Sequence, residues 1–233
     1  MKILGRFLRP AAVLAAAVIL LGSCATTNRL DRYDLDNAAL LASMRQPPAP
    51  TMDIDYSVWV DSSNPIGTAL RVGTTILKAS EAEKARATML QALSSVDVPA
   101  IVLRQTSQGI ASALRARLVE QKAEYRLDLD VHQYGIQAPS WTSAVSLHLS
   151  LTAGLYDERD REVVWRRKNV TVDIPASPQM FGAGGAVGDV VTAAVLSSLT
   201  VQQLEEGFRR LAVESAQAVI DRLERDLYRA RYR

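Results

Sequence analysis

The sequence predicts an α+β fold: an antiparallel sheet of about four strands, with helices packed on one face and a long helix at the C-terminus. Apolar and polar residues alternate near residues 52–60 and in three consecutive segments between residues 125 and 174, a period of two that is typical of strands. Residues 75–121 and 200–228 are instead rich in good helix formers. Because helices flank a group of strands, the order favours α+β over an alternating α/β fold, and the uncovered sheet face is expected to be polar.

The first 23 residues have the form of a secretory signal peptide. Lys2, Arg6 and Arg9 precede an uninterrupted apolar run from Ala11 to Leu21. Extended through residue 23, this run would reach only about 20 Å as a helix, whereas the hydrocarbon core of a membrane is roughly 30 Å thick. A cleaved signal peptide over residues 1–23 is therefore predicted in preference to a transmembrane helix.

The segment closes with Leu21-Gly22-Ser23-Cys24. This tetrapeptide resembles the lipobox of bacterial lipoproteins. The resemblance implies cleavage before Cys24 and attachment of acyl chains such as palmitate, which anchor the chain in a membrane. Ala25 stands where an inner-membrane retention signal would place Asp, which resembles the sorting pattern of the outer membrane, facing the periplasm. The alternative, a cleaved signal without lipidation, would leave an unpaired thiol on an exported protein.

Removal of the signal peptide changes the charge of the chain. The full sequence has 27 basic and 25 acidic residues, and three of the basic ones lie before Cys24, so residues 24–233 carry 24 minus 25, or −1. Nucleic acid is not expected as a partner, because phosphate binding needs a concentrated positive field. Cys24 is the only cysteine, so neither an intrachain disulfide nor a cysteine nucleophile is expected.

Residues 24–50 are predicted to be a lipidated N-terminus and a tether, and residues 51–233 a single α+β domain. Within the tether, Asp36 is expected to cap a short helix that Pro47-Pro48 ends. The apolar residues of that helix are Leu40, Leu41 and Met44.

Three further helices are predicted. One covers Thr75 to Val96, and a second runs from about Pro99 to Gln121 with Asp97 as its cap. Thr200 and Gln203 have the spacing of a capping box, which predicts the start of the final helix. The buried stripe of that helix is expected to consist of Leu204, Phe208, Leu211, Ser215, Val219 and Leu223.

The strands after residue 124 are predicted to form a meander. An antiparallel hairpin that places apolar residues opposite each other pairs Val131 with Val145 and Leu129 with Leu147. A third strand runs from Glu162 to Ile174. Its apolar phase shifts along the strand, which predicts a β-bulge near residues 166–169.

This hairpin register places Asp128 opposite His148, with Asp130 and His132 on the same face. Histidine and carboxylates can hold a metal ion or transfer protons, so a metal-dependent enzyme using this face is one hypothesis. The alternative is the solvated outer face of a sheet, where alternation requires polar residues in any case. The second interpretation is favoured, and neither a cofactor nor enzymatic activity is predicted.

A glycine-rich, charge-poor segment precedes the final helix. It does not match a dinucleotide loop, because Val187 stands where the third glycine is needed. Small residues four apart allow close helix approach. This leaves three interpretations: buried helix starts, an exposed apolar surface for a protein partner or a second copy, or an insertion that touches the membrane, with Pro65 to Ile76 beside the segment. The candidate surface is Gly182 to Leu196, and its candidate residues are Gly182, Gly184, Gly185, Gly188, Val191 and Val195.

The layout resembles two groups of envelope lipoproteins. The position of Gly182 to Leu196 between the last strand and a terminal helix is similar to lipoproteins related to the curli secretion channel. The strand order after residue 124 resembles the auxiliary lipoproteins of ABC-type lipid transport systems. These resemblances imply a non-enzymatic binding, assembly or transport-accessory module on a lipid anchor. A carrier of a lipid or other apolar ligand between sheet and helices is the alternative.

Overall fold

The computed structural model describes residues 26–54, 80, 83–138, 144–176 and 198–232. In these residues the chain forms helices and one sheet, which confirms the α+β class. The elements are β1 (Thr27–Asn28), a 3-10 turn (Leu30–Arg32), β2 (Ala39–Met44), β3 (Thr51–Ile54), α1 (83–95), α2 (Val98–Leu114), β4 (Arg117–Leu118), β5 (Tyr125–Ala138), β6 (Ser146–Asp157), β7 (Val163–Pro175) and α3 (Val201–Arg231).

The sheet has seven described strands in the order β1-β7-β6-β5-β2-β4, and β3 also pairs with β5. The contacts β1–β7, β7–β6 and β6–β5 are antiparallel, whereas β2 and β3 run parallel to β5, and β4 runs parallel to β2. The predicted antiparallel sheet of about four strands therefore has too few strands, and it lacks the parallel pairing of β2, β3 and β4. The three-strand meander was predictable because its strands are long and alternate cleanly, whereas strands of two residues have no period to detect.

The short helix predicted after Asp36 is wrong, since Ala39–Met44 form strand β2. Leu40 pairs with Tyr125 of β5 and is 1% exposed. A short apolar run fits a helix and a strand equally well, and only its partner decides between them. Residues 27–44 therefore contribute two strands to the sheet, which corrects the tether predicted for residues 24–50.

The long strand β5 has two parallel neighbours on the same edge. β2 pairs with its first half and β3 with its second half, and the proline-rich residues 45–50 interrupt the ladder between them. Gly135 of β5 has φ +151°, and a Cβ there would overlap the carbonyl oxygen of Thr51, so the close approach of β3 requires glycine. The predicted strand from Met52 is confirmed over residues 52–54, and residues 55–60 lie outside the described chain.

The hairpin register differs from the predicted one. Leu129 pairs with Ala153 and Val131 with Leu151, because β5 continues past a bulge at His132 to residue 138. The predicted and observed registers differ by an even number of residues. Both place apolar side chains on the same face, so alternation could not distinguish them.

The β-bulge predicted in the third strand is confirmed. Leu151 pairs with Val170 and Ala153 with Arg167, so two residues of β7, at 168 and 169, lie opposite one residue of β6. Asn169 has φ +54°, a left-handed conformation that asparagine tolerates better than most residues.

The helices begin at their predicted caps. Asp97 accepts a hydrogen bond from the backbone N–H of Ala100 at the start of α2, and residues 83–95 confirm the described part of the preceding helix. α2 ends at Leu114 rather than near Gln121, because Arg115 takes a left-handed conformation with φ +56° and the chain enters β4.

The final helix α3 has the predicted capping box, with Thr200 and Gln203 bonded reciprocally. It packs against α2 and against strands β6 and β7. All six residues of its predicted stripe are buried, and the five apolar ones join one core cluster with the buried sides of β5, β6 and β7. The core therefore lies between the sheet and the α2–α3 pair.

Candidate functional site

The predicted lipid attachment point is adjacent in sequence to the edge of the sheet. Cys24 lies outside the described residues, which begin two residues later at Thr26. β1 then pairs with β7 through Thr27–Arg166 and Asn28–Trp165. Two residues span at most about 7 Å, so an acylated Cys24 would hold this end of the domain at the membrane surface.

Asp226 joins three elements at this end of the domain. The Asp226 side chain is 2% exposed and accepts hydrogen bonds from Trp165 Nε1 at 2.9 Å and Arg167 Nε at 2.8 Å. A second Arg167 nitrogen donates to the other carboxylate oxygen, which makes the pair bidentate. Asn28 Nδ2 donates to the backbone carbonyl of Asp226 at 3.1 Å. The carboxylate therefore holds β7, and the backbone carbonyl holds β1, against α3.

A cleft of about 400 Å³, here called the anchor cleft, opens beside Asp226. Arg167 closes one side by donating to Thr26 Oγ1 at 3.2 Å. Burial, followed by the positive charges of Arg167 and Arg225, lowers the pKa of Arg222 on α3. The cleft is lined by Thr26, Asn28, Arg29, Asp31, Arg32, Arg167, Asp226, Arg229 and Ala230.

The predicted acidic residues of the outer sheet face are paired with arginines. Asp128 accepts a hydrogen bond from Ser43 Oγ at 2.5 Å, and Arg126 Nε lies 3.0 Å from the same carboxylate oxygen. Asp130 forms an ion pair with Arg45 at 3.4 Å. These carboxylates are therefore neutralised by cationic neighbours.

The two histidines do not meet Asp128. His132 shares a 2.8 Å hydrogen bond with Thr152 Oγ1, and His148 Nδ1 lies 2.7 Å from Asp173. Asp128 pairs with Gly154 rather than with His148, and six residues of β6 place His148 about 20 Å farther along the strand. The predicted opposition of Asp128 and His148 is thus wrong, and within the described residues no three metal-ligating side chains cluster together.

A second cleft, here called the outer-face cleft, occupies about 290 Å³ on this sheet face. Arg166, Gly154 and Asp128 follow one another across β7, β6 and β5. Gly154 leaves a gap that the ring of Tyr156 covers, since a Cβ at Gly154 would lie 2.8 Å from that ring. Arg126 stacks over the same ring at 5.8 Å.

Arg166 contributes an unsatisfied donor to the outer-face cleft. Its Nε is buried and has no hydrogen-bond partner among the described residues. A buried donor without a partner is unfavourable, and a carboxylate, phosphate or hydroxyl group in the cleft would satisfy it. Sequence reasoning missed Arg166 and Tyr156, although both lie on strands whose alternation marked the polar face.

The predicted apolar interaction surface lies outside the described residues. This applies to Gly182 to Leu196 and to Pro65 to Ile76, so both segments stay predictions. In the described parts of the chain, no helix combines the length and the apolarity needed to cross a membrane.

No protein-family model matches the chain, and no curated protein matches it. Among solved structures, a Xanthomonas campestris protein of the DUF330 family is 13% identical, with a TM-score of 0.36, over 82% of this chain and 89% of its own. A PelC dodecamer from Paraburkholderia phytofirmans is 13% identical, with a TM-score of 0.28, over 74% and 86% of the two chains. A candidate lipoprotein from Caulobacter crescentus is 17% identical, with a TM-score of 0.24, over 51% and 83%. Similarity at this level does not assign the chain to a family.

Proposed function

We propose that the protein is a lipid-anchored bacterial envelope lipoprotein that binds a partner and has no catalytic activity. The observation that carries the proposal is the sequence Leu21-Gly22-Ser23-Cys24, followed by a folded domain whose first strand begins at Thr27. The short link supports a domain that works close to the membrane surface. Ala25 after Cys24 supports the outer membrane, with the domain facing the periplasm.

Partner binding is proposed for the outer-face cleft. The buried Nε of Arg166 offers an unpaired donor, and the ring of Tyr156 adds an aromatic surface in the same recess. Such a mixture suits a polar segment of another protein that carries a carboxylate. The apolar segment Gly182 to Leu196 is a second proposed contact, for a protein partner or another copy of the chain.

The absence of catalysis is part of the proposal. The carboxylates of the outer face are neutralised by Arg126 and Arg45, which does not favour acid–base work or metal binding. A carrier for an apolar ligand is not favoured either. In the described part of the core, the space between sheet and helices is filled by large side chains such as Trp165 and Phe208, both 0% exposed.

Metabolic labelling with radioactive palmitate, followed by membrane fractionation, tests the anchor. The wild-type chain is expected to carry the label and to separate with outer membranes. Cys24→Ala is expected to lose the label and to accumulate as uncleaved precursor. Ser23→Ala is the matched control, because it keeps a small residue before Cys24 and should be labelled normally. A labelled Cys24→Ala chain would contradict the anchor.

Photo-crosslinking in living cells tests partner binding. A photoreactive amino acid is placed at Thr152 in the outer-face cleft, at Val191 in the predicted apolar surface, and at Gln217 on the exposed side of α3. Position 152 is expected to give a discrete crosslinked protein that is absent at position 217. Identical crosslinks at positions 152 and 217 would contradict a specific binding surface in the outer-face cleft. A discrete product at position 191 alone would assign partner binding to the apolar segment instead.

A further inference from the structure

We infer that the anchor cleft binds the phosphate group of an anionic phospholipid in the membrane that holds the acylated Cys24. This inference rests on the proposed lipid anchor. It adds a second, electrostatic contact between the domain and the bilayer, and it orients the domain on the membrane.

The lining of the anchor cleft has a surplus of positive charge. Arg29, Arg32, Arg167 and Arg229 oppose Asp31 and Asp226, so four positive charges minus two negative ones leave a surplus of two. This surplus stands out because residues 24–233 together carry −1. A local positive field on a nearly neutral chain favours a local anionic ligand rather than general attraction to polyanions.

Two of these arginines keep their donors available. Arg32 is exposed and has no ion-pair partner among the described residues. Arg229 is 66% exposed and lies 3.9 Å from Asp226, whose carboxylate already accepts shorter hydrogen bonds from Arg167 and Trp165. Their guanidinium groups have the planar set of donors that matches phosphate oxygens.

The neighbouring acidic residues reduce the surplus without removing it. Glu162 pairs with Arg29 at 3.1 Å, which lowers the surplus from two to one. The adjoining cleft adds two negative charges, Asp34 and Asp36, and two positive ones, Arg115 and Arg231, so its net contribution is zero.

The chain length places the cleft at the bilayer. Thr26 lines the cleft and lies two residues after Cys24, a reach of at most about 7 Å. Basic groups within a Debye length of an anionic surface, about 8 to 10 Å, are attracted to it. The anchored chain therefore places these arginines next to lipid headgroups. This position favours a membrane phospholipid over a soluble anion as the ligand of the cleft.

Vesicle co-sedimentation tests the inference on the mature chain, residues 24–233, carrying Cys24→Ser so that no acyl chain contributes. Vesicles of phosphatidylcholine alone are compared with vesicles that also contain phosphatidylglycerol. We expect binding to the anionic vesicles only. The double variant Arg32→Glu with Arg229→Glu should weaken this binding about 30-fold or more, since each basic group near an anionic surface accounts for about fivefold.

The matched control is Arg104→Glu with Arg209→Glu, two exposed arginines on α2 and α3. On α3, position 209 lies about 30 Å from position 229. The control changes net charge equally and should leave vesicle binding within about twofold of the parent, because surface charges beyond a Debye length are screened. Circular dichroism spectra and urea midpoints of both double variants should match the parent, which excludes unfolding as the cause.

Three outcomes would overturn the inference. One is equal binding to both kinds of vesicle, and another is equal weakening by the control pair. The third is the absence of vesicle binding together with an acidic protein crosslinked at position 32 in cells, which would assign the cleft to a protein instead. The palmitate labelling of Cys24 tests the anchor separately, so a labelled protein without vesicle binding would contradict the cleft and leave the lipoprotein assignment intact.

Discussion

The indole nitrogen of Trp165 lies 2.9 Å from Oδ2 of Asp226, and both side chains are almost fully buried. Trp165 belongs to β7 and Asp226 to the last turns of α3. The same carboxylate receives two nitrogens of Arg167. This contact fixes the C-terminal end of the long helix on the sheet, next to the strand that follows Cys24.

Loss of the Asp226 carboxylate should destabilise the fold. Asp226→Ala leaves the donors of Trp165 and Arg167 without their acceptor, and we expect a loss of about 2 to 4 kcal/mol in the free energy of unfolding. Asp221→Ala on the same helix is the control, since its carboxylate accepts from Gln217 at an exposed position and should change stability by less than about 0.5 kcal/mol. Urea denaturation measures both. Equal stability of the two variants would contradict the role of Asp226.

The α2–α3 contact should not tolerate a larger residue at Gly109. A Cβ at this position would overlap the Ile220 side chain and lie 2.7 Å from its Cγ1. Gly109→Ala should therefore cost about 1 to 3 kcal/mol, although alanine has the higher helix propensity. Adding Ile220→Val removes one overlapping carbon and should recover part of the loss. A double-mutant cycle in urea measures this coupling, and strict additivity of the two changes would contradict the close contact.

The capping box at the start of α3 should contribute measurably to stability. Thr200→Ala removes the acceptor for the Gln203 backbone N–H and should cost about 1 kcal/mol. Thr200→Ser keeps the hydroxyl and should remain within about 0.3 kcal/mol of the wild type. Thermal unfolding followed by circular dichroism distinguishes the two variants, and equal losses would mean that the hydroxyl bond is not the cause.

Stability should fall at alkaline pH, in part through Tyr125. Burial, followed by the charges of Asp157 and Glu124, raises the pKa of Tyr125 above its ordinary value of 10.0. The folded state therefore holds this proton more tightly than the unfolded state. Its contribution is complete below pH 10 and is lost as the pH rises through the folded-state pKa.

Urea midpoints between about pH 8 and about pH 11 test this effect. The wild type should lose stability more steeply above pH 10 than Tyr125→Phe, which has no proton to release. Tyr33 and Tyr134, whose pKa values are also raised, are present in both proteins. Parallel curves for the two proteins would contradict the assignment to Tyr125.

Asp128 and His148 should not bind a zinc ion together. The β5–β6 register separates them by about 20 Å, and His148 already contacts Asp173. We expect calorimetric zinc titrations of the wild type and of His148→Ala to be indistinguishable. Tight zinc binding that disappears both in His148→Ala and in Asp128→Ala would require these two residues to come together and would contradict the register.

Local signals in the sequence predicted the starts of α2 and α3 and the three strands of the meander. The capping box of Thr200, the cap at Asp97 and the buried stripe of α3 depend on residues three or four apart. They can therefore be recognised within a short segment of sequence. The bulge at residues 168 and 169 was visible for the same reason, because the apolar phase shifts within one strand.

Pairing between distant segments was not predictable in this way. Leu40 lies in a short apolar run whose assignment as a strand depends on its contact with Tyr125. The register of β5 and β6 kept the same alternation in either alignment. Asp226 could have been recognised from the sequence. It lies three residues after Leu223 and therefore places a charge on the buried stripe of α3. A buried charge needs a partner, so this position should have been predicted to form an ion pair.

We propose that the mature chain begins at a lipid-modified Cys24. Intact-mass spectrometry of the protein extracted from the membranes of its own cells tests this proposal. We predict a chain that starts at residue 24 and carries the added mass of a diacylglyceryl group and an N-terminal acyl chain. A chain that starts elsewhere, or one with an unmodified Cys24, would exclude the lipid anchor.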